Sequence, residues 1–250
     1  MMNLENIIQS YIQKHGFESF APKTVLFDMD GVLYNSMGNH AKAWHQSMEE
    51  NGYVMSEADA YQYEGMRGVE TIQLIAWQQK GIRLSIEEAQ RIYDRKSAIF
   101  ASLGKVDKMS GVEDLMRQMK ADGMTLGVVT GSGQRPLLQR LQNDYCPLVS
   151  PDHIVTSFDV SHGKPAPDPY LKGLRKCGVA PWEAIVVENA PLGVRAGVAA
   201  QVFTVAVNTG PLPDEVLSQQ GANLLFHDMH CFLDFWRKEL FPAVKSSTSV

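Results

Sequence analysis

Four short polar motifs in this sequence contain the residues that could do chemistry, and each follows a short apolar stretch. They are centred on Asp28, Thr130, Lys164 and Glu188. Carboxylates, a hydroxyl group and an ammonium group suit a reaction on a phosphoryl group, whose negative charge is balanced by a hard cation and a lysine. Each motif alone also fits an ordinary turn or helix cap, but their joint order along the chain predicts one shared site.

The first motif contains two carboxylates, Asp28 and Asp30, directly after the apolar stretch Thr24–Phe27. If the chain turns after Asp28, both carboxylates can face one crevice, and Gly31 permits the bend. Such a pair suits a divided task, in which one carboxylate attacks phosphorus and the other transfers a proton. A plain junction between a strand and a turn is the alternative interpretation.

The other three motifs supply groups that bind anions or cations. The hydroxyl and backbone amides of Thr130-Gly131-Ser132 could cradle a phosphoryl group. Prolines on both sides of Ala166 stiffen the chain near Lys164 and hold it as a point charge. Glu188 and Asn189 offer a carboxylate and an amide oxygen to a metal, or simply cap the helix that follows.

The apolar stretches before these motifs are short and rich in β-branched residues, which is typical of strands buried on both faces. Helical patterns lie between them, so the sequence predicts an α/β fold with a Rossmann-like parallel-sheet core and helices on both faces. Ligands of such sheets bind beyond the carboxyl ends of the strands, where the motifs fall. The predicted strands cover residues 24–27, 125–129, 154–156, 184–187, 202–207 and 223–226.

Residues 36–104 interrupt this alternation, because they show helical periodicity without a convincing buried strand. We therefore predict that these residues form an all-helical cap subdomain inserted after the first strand. The catalytic core then consists of residues 21–35 and 105–242. The pattern of residues 1–20 predicts an amphipathic helix packed on the core, and the polar composition of residues 243–250 predicts a frayed tail.

Composition excludes several classes of partner. The chain has 250 residues, a formal net charge of -5 and no basic block, so we expect no nucleic-acid partner. The longest uncharged stretch is interrupted by polar residues, glycine and proline, so we expect no membrane span. Three scattered cysteines match no metal-ligand spacing and cannot all pair, which favours a reducing, cytoplasmic location. We expect a monomer or a weak dimer.

The sequence resembles the haloacid dehalogenase superfamily, in its subgroup of phosphatases and β-phosphoglucomutase-like enzymes with a helical cap after the first strand. Residues 28–33 are similar to the first motif of that family, Thr130 to the second, Lys164 to the third and Glu188-Asn189 to the fourth. The resemblance covers nearly the whole chain after residue 22. It implies that Asp28 is a nucleophile and that Asp30 is a general acid and base.

The resemblance also implies Mg²⁺ as cofactor, held by Asp28, the backbone carbonyl of Asp30 and Asn189, with Glu188 in direct or water-mediated contact. Thr130 and the backbone of Gly131-Ser132 would bind the phosphoryl group, and Lys164 would offset its charge. The implied reaction is magnesium-dependent hydrolysis of a small phosphorylated compound through an aspartyl-phosphate. The family often has Asp at the position of Asn189, so we expect weaker metal binding here.

The predicted cap departs from the mutase-like members of the family. Those proteins carry a lysine and an arginine for a sugar phosphate where this chain has Glu64 and Gly68, and Arg67 is displaced by one residue. Glu64 would repel a second phosphate unless a metal lies between them. If Glu64 reaches the core as a further Mg²⁺ ligand, only a small leaving group fits, and inorganic pyrophosphate becomes a candidate substrate. A glutamate that faces solvent is the alternative.

Two further cap residues are candidates for contact with the site. The resemblance implies that His40 positions the cap and hydrogen-bonds Asp30, and a partly buried structural histidine is the alternative. Lys96 could bind substrate oxygens or lie exposed on its helix. A sugar-phosphate isomerase of the β-phosphoglucomutase type and an inert binding module with the same fold stay open. Dehalogenation is not expected, because it needs neither Asp30 nor a metal.

Overall fold

A six-stranded parallel sheet forms the centre of the protein, in the order β3-β2-β1-β4-β5-β6. The computed structural model describes residues 3–247, apart from the side chains of residues 135, 246 and 247. The α/β prediction is confirmed, and the strands lie within one residue of their predicted bounds. They are β1 (Thr24–Phe27), β2 (Thr125–Val129), β3 (Ile154–Val155), β4 (Ala184–Glu188), β5 (Phe203–Val207) and β6 (Leu224–Phe226).

Alternation of side chains along β1 explains why helices cover both faces of the sheet. Val25 and Phe27 belong to the larger apolar cluster, whereas Leu26 belongs to a second cluster on the opposite face. Every residue of β1, β4 and β5 is buried, as the β-branched composition predicts. The central strands therefore form a rigid platform, and the residues that follow them are held at one edge of the sheet.

Twelve α-helices surround or extend this sheet within the described residues. No helix between residues 3 and 247 is both long enough and apolar enough to cross a membrane. The helices are α1 (Leu4–His15), α2 (Met37–Glu50), α3 (Glu57–Gln62), α4 (Gly68–Lys80), α5 (Ile86–Ser102), α6 (Val112–Ala121), α7 (Arg135–Tyr145), α8 (Asp168–Cys177), α9 (Pro191–Ala199), α10 (Asp214–Ser218), α11 (Met229–Phe235) and α12 (Phe241–Ser247).

Helices α2 to α5 share an apolar core of their own, which includes Met48, Ile72, Ile75 and Ile92. The helical patterns in the sequence cover residues 40–50, 69–79 and 86–102, which correspond to α2, α4 and α5. The short helix α3 is the one that they miss, although the capping box of Ser56 and Asp59 marks its start. We propose residues 36–104 as the bounds of this helical cap.

The two ends of the described chain pack against the core. On α1, the ring of Tyr11 contacts Phe203, with 5.4 Å between ring centroids, and its hydroxyl donates to the Gln201 carbonyl at 2.9 Å. The prediction of a frayed tail from residue 243 is wrong as far as residue 247, because α12 continues there and Val244 is buried in the core. Residues 248–250 of the predicted tail lie outside the described residues.

We expect Tyr11→Ala to lower the free energy of unfolding by about 3–5 kcal/mol, because it removes a buried aromatic ring that joins α1 to the sheet. Tyr11→Phe keeps the ring and loses only the hydroxyl, so its cost is about 1 kcal/mol. Denaturant unfolding followed by circular dichroism measures both values. If Tyr11→Ala unfolded with the same free energy as the wild type, α1 would not belong to the part of the protein that unfolds cooperatively.

Candidate active site

The ends of three neighbouring strands bring the predicted motifs together. Asp28 follows β1, Thr130 follows β2 and Glu188 ends β4, and these strands are adjacent in the sheet. The hydrogen bonds between neighbouring strands continue into the motifs. The Asp28 amide donates to the Val187 carbonyl at 3.0 Å, and the Thr130 amide donates to the Val155 carbonyl at 2.9 Å. The sheet itself therefore fixes the backbone of the candidate site.

Lys164 lies at the centre of this edge, and its side chain is 0% exposed. Its ammonium group donates to Asp28 Oδ1, to Glu188 Oε1 at 2.6 Å and to the Val129 carbonyl at 3.0 Å. Burial by itself lowers the pKa of Lys164, but the two carboxylates outweigh burial and raise it above its ordinary value. Lys164 therefore stays cationic at the floor of the site.

Glu188 holds Lys164 in place. Its Oε1 also accepts from the Tyr170 hydroxyl at 2.5 Å, and its Oε2 accepts from the backbone amides of Asn189 at 3.2 Å and Ala190 at 3.4 Å. Both carboxylate oxygens thus have protein donors, so we interpret its expected metal role as indirect. Tyr170 was not predicted, because its place on α8 is that of an ordinary core residue.

Asp30 is held by a chain of three polar side chains. Its Oδ1 accepts from the Ser36 hydroxyl at 2.7 Å and pairs with His40 Nε2 at 3.0 Å. On the other side of the ring, Lys96 Nζ lies 2.6 Å from His40 Nδ1. A lysine donor at Nδ1 leaves the ring proton on Nε2, where it points at Asp30. The hydrogen bond expected between His40 and Asp30 is present, and Ser36 is an addition to the predicted set.

These neighbours set the charge of Asp30, His40 and Lys96. Burial raises the pKa of Asp30, but His40, Ser36 and Lys96 together lower it below the ordinary value. Burial lowers the pKa of His40, and the Lys96 charge lowers it further. Burial also lowers the pKa of Lys96, to about 7. The group thus consists of a carboxylate, a neutral imidazole and a lysine that titrates near neutral pH.

The loop after β2 lies directly under the cap. The Ser132 amide donates to Thr130 Oγ1 at 3.0 Å, which tightens the turn. A Cβ atom at Gly131 would lie 2.6 Å from the carbonyl oxygen of Gly65 in the cap. Only glycine therefore allows this approach, and the predicted phosphate-binding residues face a closed cap.

Glu64 reaches from the cap to the core, and only 9% of it is exposed. The Asn189 amide Nδ2 lies 3.2 and 3.3 Å from its two carboxylate oxygens. Burial raises the pKa of Glu64, and the charges of Asp28 and Glu188 raise it further. The alternative of a glutamate that faces solvent is therefore wrong for this closed arrangement of the cap.

The donor atoms around Asn189 fit a magnesium ion. Asn189 Oδ1 is buried and has no hydrogen-bond partner among the described residues, although its Nδ2 is engaged with Glu64. Burial raises the pKa of Asp28, Lys164 opposes the rise, and Glu188 and Asp30 add to it, so the site has an excess of negative charge. Oxygen ligands and excess negative charge are what Mg²⁺ prefers. Between residues 3 and 247 no three side chains of His, Cys, Asp or Glu converge on one metal position, so the set depends on Asn189 and backbone oxygen.

A cavity of about 60 Å³ lies between the cap and the strand ends. Its lining includes most of the predicted residues, together with aromatic and amide side chains that the sequence did not single out. The predicted members are Asp28, Asp30, His40, Glu64, Lys96, Thr130, Gly131 and Ser132, and the additions include Trp44, Tyr63, Tyr93 and Gln134. Lys164, Glu188 and Asn189 lie in the buried layer beneath it.

Arg67 is the predicted residue that lies neither in the lining of this cavity nor in the buried layer beneath it. Its guanidinium donates to the Ser161 carbonyl at 2.8 Å and to Glu70 at 3.2 Å. These contacts join the cap to a loop of the core. The substrate role expected of Arg67 is therefore not supported, because its guanidinium is engaged by Ser161 and Glu70 and the residue does not line the cavity.

The strand ends carry carboxylates, a buried lysine and a glycine-rich loop, and a helical cap covers them. This arrangement is typical of enzymes that transfer phosphoryl groups. The chain matches the family of haloacid dehalogenase-like hydrolases over residues 25–207, and it belongs to that family. The chain is accordingly a phosphoric ester hydrolase.

Several known proteins are similar to this chain. Hexitol phosphatase A of Escherichia coli (strain K12) is 29% identical over 208 residues, which are 83% of this chain and 91% of that protein. Validoxylamine A 7′-phosphate phosphatase of Streptomyces hygroscopicus subsp. limoneus is 30% identical over 190 residues, which are 75% of this chain and 86% of that protein. A solved structure from Bacteroides vulgatus, described as a candidate beta-phosphoglucomutase, is 44% identical with a TM-score of 0.91 and covers 99% of this chain and 98% of its own.

We expect kcat/KM to fall as the pH rises above about 7, because Lys96, with a pKa of about 7, then loses the charge that attracts an anionic substrate into the cavity. Lys96→Met should lower kcat/KM below pH 7 and remove this decline. Lys42→Met, on the exposed side of α2, is the matched control and should keep it. An unchanged decline in Lys96→Met would assign the ionisation to another group.

Proposed function

We propose that the protein is a magnesium-dependent phosphohydrolase that forms an aspartyl-phosphate on Asp28 and acts on a small phosphorylated compound, with inorganic pyrophosphate as the favoured substrate. The observation that carries this proposal is the contact of Glu64 with Asn189 beside the unpartnered Asn189 Oδ1. It adds a cap carboxylate to the donors suited to Mg²⁺ and leaves a cavity of about 60 Å³.

The first step is attack of an Asp28 oxygen on phosphorus, in which the Asp28–phosphorus bond forms and the bond to the leaving phosphate breaks with its electron pair. Lys164 holds Asp28 in place and supplies positive charge at the attacked group. Thr130 and the backbone of Gly131 and Ser132 line the cavity where the phosphoryl oxygens would lie. When bound, Mg²⁺ would offset the negative charge that Asp28 and the phosphoryl group bring together.

The second step is hydrolysis of the aspartyl-phosphate. A water oxygen bonds to phosphorus, the bond between phosphorus and the Asp28 oxygen breaks and returns the carboxylate, and Asp30 takes the proton from the water. Ser36 and His40 orient the carboxylate and keep its pKa low, so it is present as a base. A leaving hydrogen phosphate is a weak base and scarcely needs a proton, whereas an alkoxide is a strong base and does. The low pKa of Asp30 therefore favours an anhydride such as pyrophosphate over an alkyl ester.

A hexitol or sugar monophosphate is the second candidate substrate, because the names of the relatives from Escherichia coli and Streptomyces point to such compounds. The name of the Bacteroides vulgatus structure favours a sugar-phosphate isomerase instead. A mutase must hold a second phosphate in the cap. Glu64 is a carboxylate at that place, and a Cβ at Gly68 would clash with the ring of Tyr93, so no cationic side chain fits there. Hydrolysis is the better-supported outcome.

The cellular setting belongs to the same proposal. Cys146, Cys177 and Cys231 are unpaired in the described structure, which supports a reducing, cytoplasmic location. A monomer or weak dimer stays our expectation.

Incubation with Mg²⁺ and a panel of pyrophosphate, hexitol phosphate, sugar phosphates and β-glucose 1-phosphate tests the proposed function. We expect phosphate release without sugar isomerisation, fastest from pyrophosphate. Asp28→Asn should reduce turnover at least about 10⁴-fold while the protein stays folded, since it removes the nucleophile at nearly constant volume. Isomerisation without phosphate release would overturn the proposal, as would near-normal turnover of Asp28→Asn.

Glu64→Ala should lower kcat/KM for pyrophosphate about 100-fold and affect an aryl phosphate much less, because Glu64 is proposed to act with the metal at the leaving-group side. Glu49→Ala removes an exposed cap glutamate and serves as control. Steady-state kinetics at several Mg²⁺ concentrations should also show a higher Mg²⁺ requirement in Glu64→Ala. Equal losses for both substrates at an unchanged Mg²⁺ requirement would dismiss the metal role.

A further inference from the structure

The loop that follows β5 contacts the turn that carries Asp28 and Asp30. We call residues 208–213 the β5 loop. The Thr209 hydroxyl of this loop donates to the Gly31 carbonyl at 2.6 Å, although the two residues are 178 positions apart in the chain. Thr209 does not line the catalytic cavity. An effect of this contact on the site must therefore pass through the turn.

Gly31 is the point of the turn that most needs such support. Its φ of +81° lies in the left-handed region, and glycine has no side chain that would restrict its backbone. The peptide plane before it, which contains the Asp30 carbonyl, is held because the Gly31 amide donates to the Tyr34 carbonyl at 2.8 Å. The plane after it contains the Gly31 carbonyl, which accepts from Thr209. The two hydrogen bonds together fix the backbone on both sides of the glycine.

Gly31 also lies against the side chain of Asn189. A Cβ atom at Gly31 would lie 2.0 Å from Asn189 Nδ2, so the amide packs directly on the glycine backbone. The Asp30 carbonyl and Asn189 Oδ1 are two of the oxygens proposed to hold Mg²⁺, and Asn189 Oδ1 is buried without a hydrogen-bond partner among residues 3–247. A rotation of the backbone at Gly31 would therefore displace one of these oxygens and press on the group that carries the other.

The β5 loop is itself held firmly in place. The Asn208 amide donates to the Phe226 carbonyl at 2.7 Å, and its side-chain Nδ2 donates to the Leu212 carbonyl at 2.8 Å. On the cap side, a Cβ atom at Gly210 would lie 3.5 Å from Cδ1 of Tyr61, so α3 lies against the loop. The loop thus presents its threonine hydroxyl from a fixed position.

We propose that Thr209 is a positioning residue for the magnesium site. Its hydroxyl holds the Gly31 carbonyl and thereby keeps the Asp30 carbonyl and the Asn189 amide in the arrangement that binds the cation. Hydrogen bonds one layer behind the metal ligands typically account for about 10–100-fold in metal affinity. This inference rests on the proposed magnesium-dependent function, and it does not depend on the identity of the substrate.

Isothermal titration calorimetry with MgCl₂ measures the Mg²⁺ affinity of the protein without turnover. We expect Thr209→Val to raise the Kd for Mg²⁺ about tenfold, because valine has nearly the same shape and cannot donate a hydrogen bond. Thr209→Ala should show the same rise. Thr209→Ser keeps the hydroxyl, so its Kd should stay within about threefold of the wild-type value.

Thr204→Val is the matched control. It also removes a hydroxyl that donates to a backbone carbonyl, that of Val202 at 2.9 Å, but it does so near the opposite end of β5. We expect it to keep the wild-type Kd for Mg²⁺. Circular dichroism and the melting temperature, both recorded without Mg²⁺, establish that each variant is folded.

Hydrolysis of acetyl phosphate gives a second measurement. Thr209→Val keeps every group proposed to act in the reaction, so saturating Mg²⁺ should restore its kcat to within about threefold of wild type. A loss of kcat that Mg²⁺ does not restore would contradict the inference, because the defect would then lie in the fold of the site.

Wild-type Mg²⁺ affinity in folded Thr209→Val or Thr209→Ala would overturn the inference, as would a Thr209→Ser variant that binds Mg²⁺ as weakly as Thr209→Val. These results leave the proposed function intact. A wild-type protein that binds no Mg²⁺ would instead overturn the proposed metal dependence, and this inference with it.

Discussion

The buried contact of Lys164 with Asp28 and Glu188 is the interaction on which the candidate site depends. Two carboxylates on neighbouring strands would repel each other in a dry interior, and the ammonium group between them turns repulsion into attraction. Removal of one partner from a buried ion pair typically costs about 3–5 kcal/mol, because the remaining charge stays unpaired. Tyr170 extends the same arrangement, since its hydroxyl fixes the Glu188 oxygen that holds Lys164.

Closure of the cap adds a further carboxylate to this edge of the sheet. Glu64 meets Asn189, and the carbonyl of Gly65 lies over Gly131. Asp28, Asp30, Glu64 and Glu188 then share a small volume with Lys164 and Lys96. A bound cation would offset this excess of negative charge. The same arrangement brings Gly68 of α4 and Tyr93 of α5 to the lining of the cavity.

Much of the fold and of the core site could be predicted because local signals agree with the tertiary structure. Buried parallel strands give continuous apolar stretches, and their carboxyl ends locate Asp28, Thr130 and Glu188 in sequence. The cap was less predictable, because the direction of a helical side chain depends on which neighbouring helix covers it. The contact of Arg67 with Ser161 and the burial of Val244 in the core were not predicted. Nothing in the sequence distinguishes Tyr93, which lines the cavity, from other tyrosines in helices.

The sequence by itself determined the class of chemistry, since residue types and their order are typical of enzymes that transfer phosphoryl groups and locate the strands that carry these residues. Only the tertiary structure decided which groups touch: that Glu64 meets Asn189, that Glu188 is occupied by Lys164 and Tyr170, and that a ring fills the space above Gly68. The physical reason is distance along the chain. Short-range patterns record burial and turn geometry, whereas the contact of residues 64 and 189 arises only after cap and core have packed together.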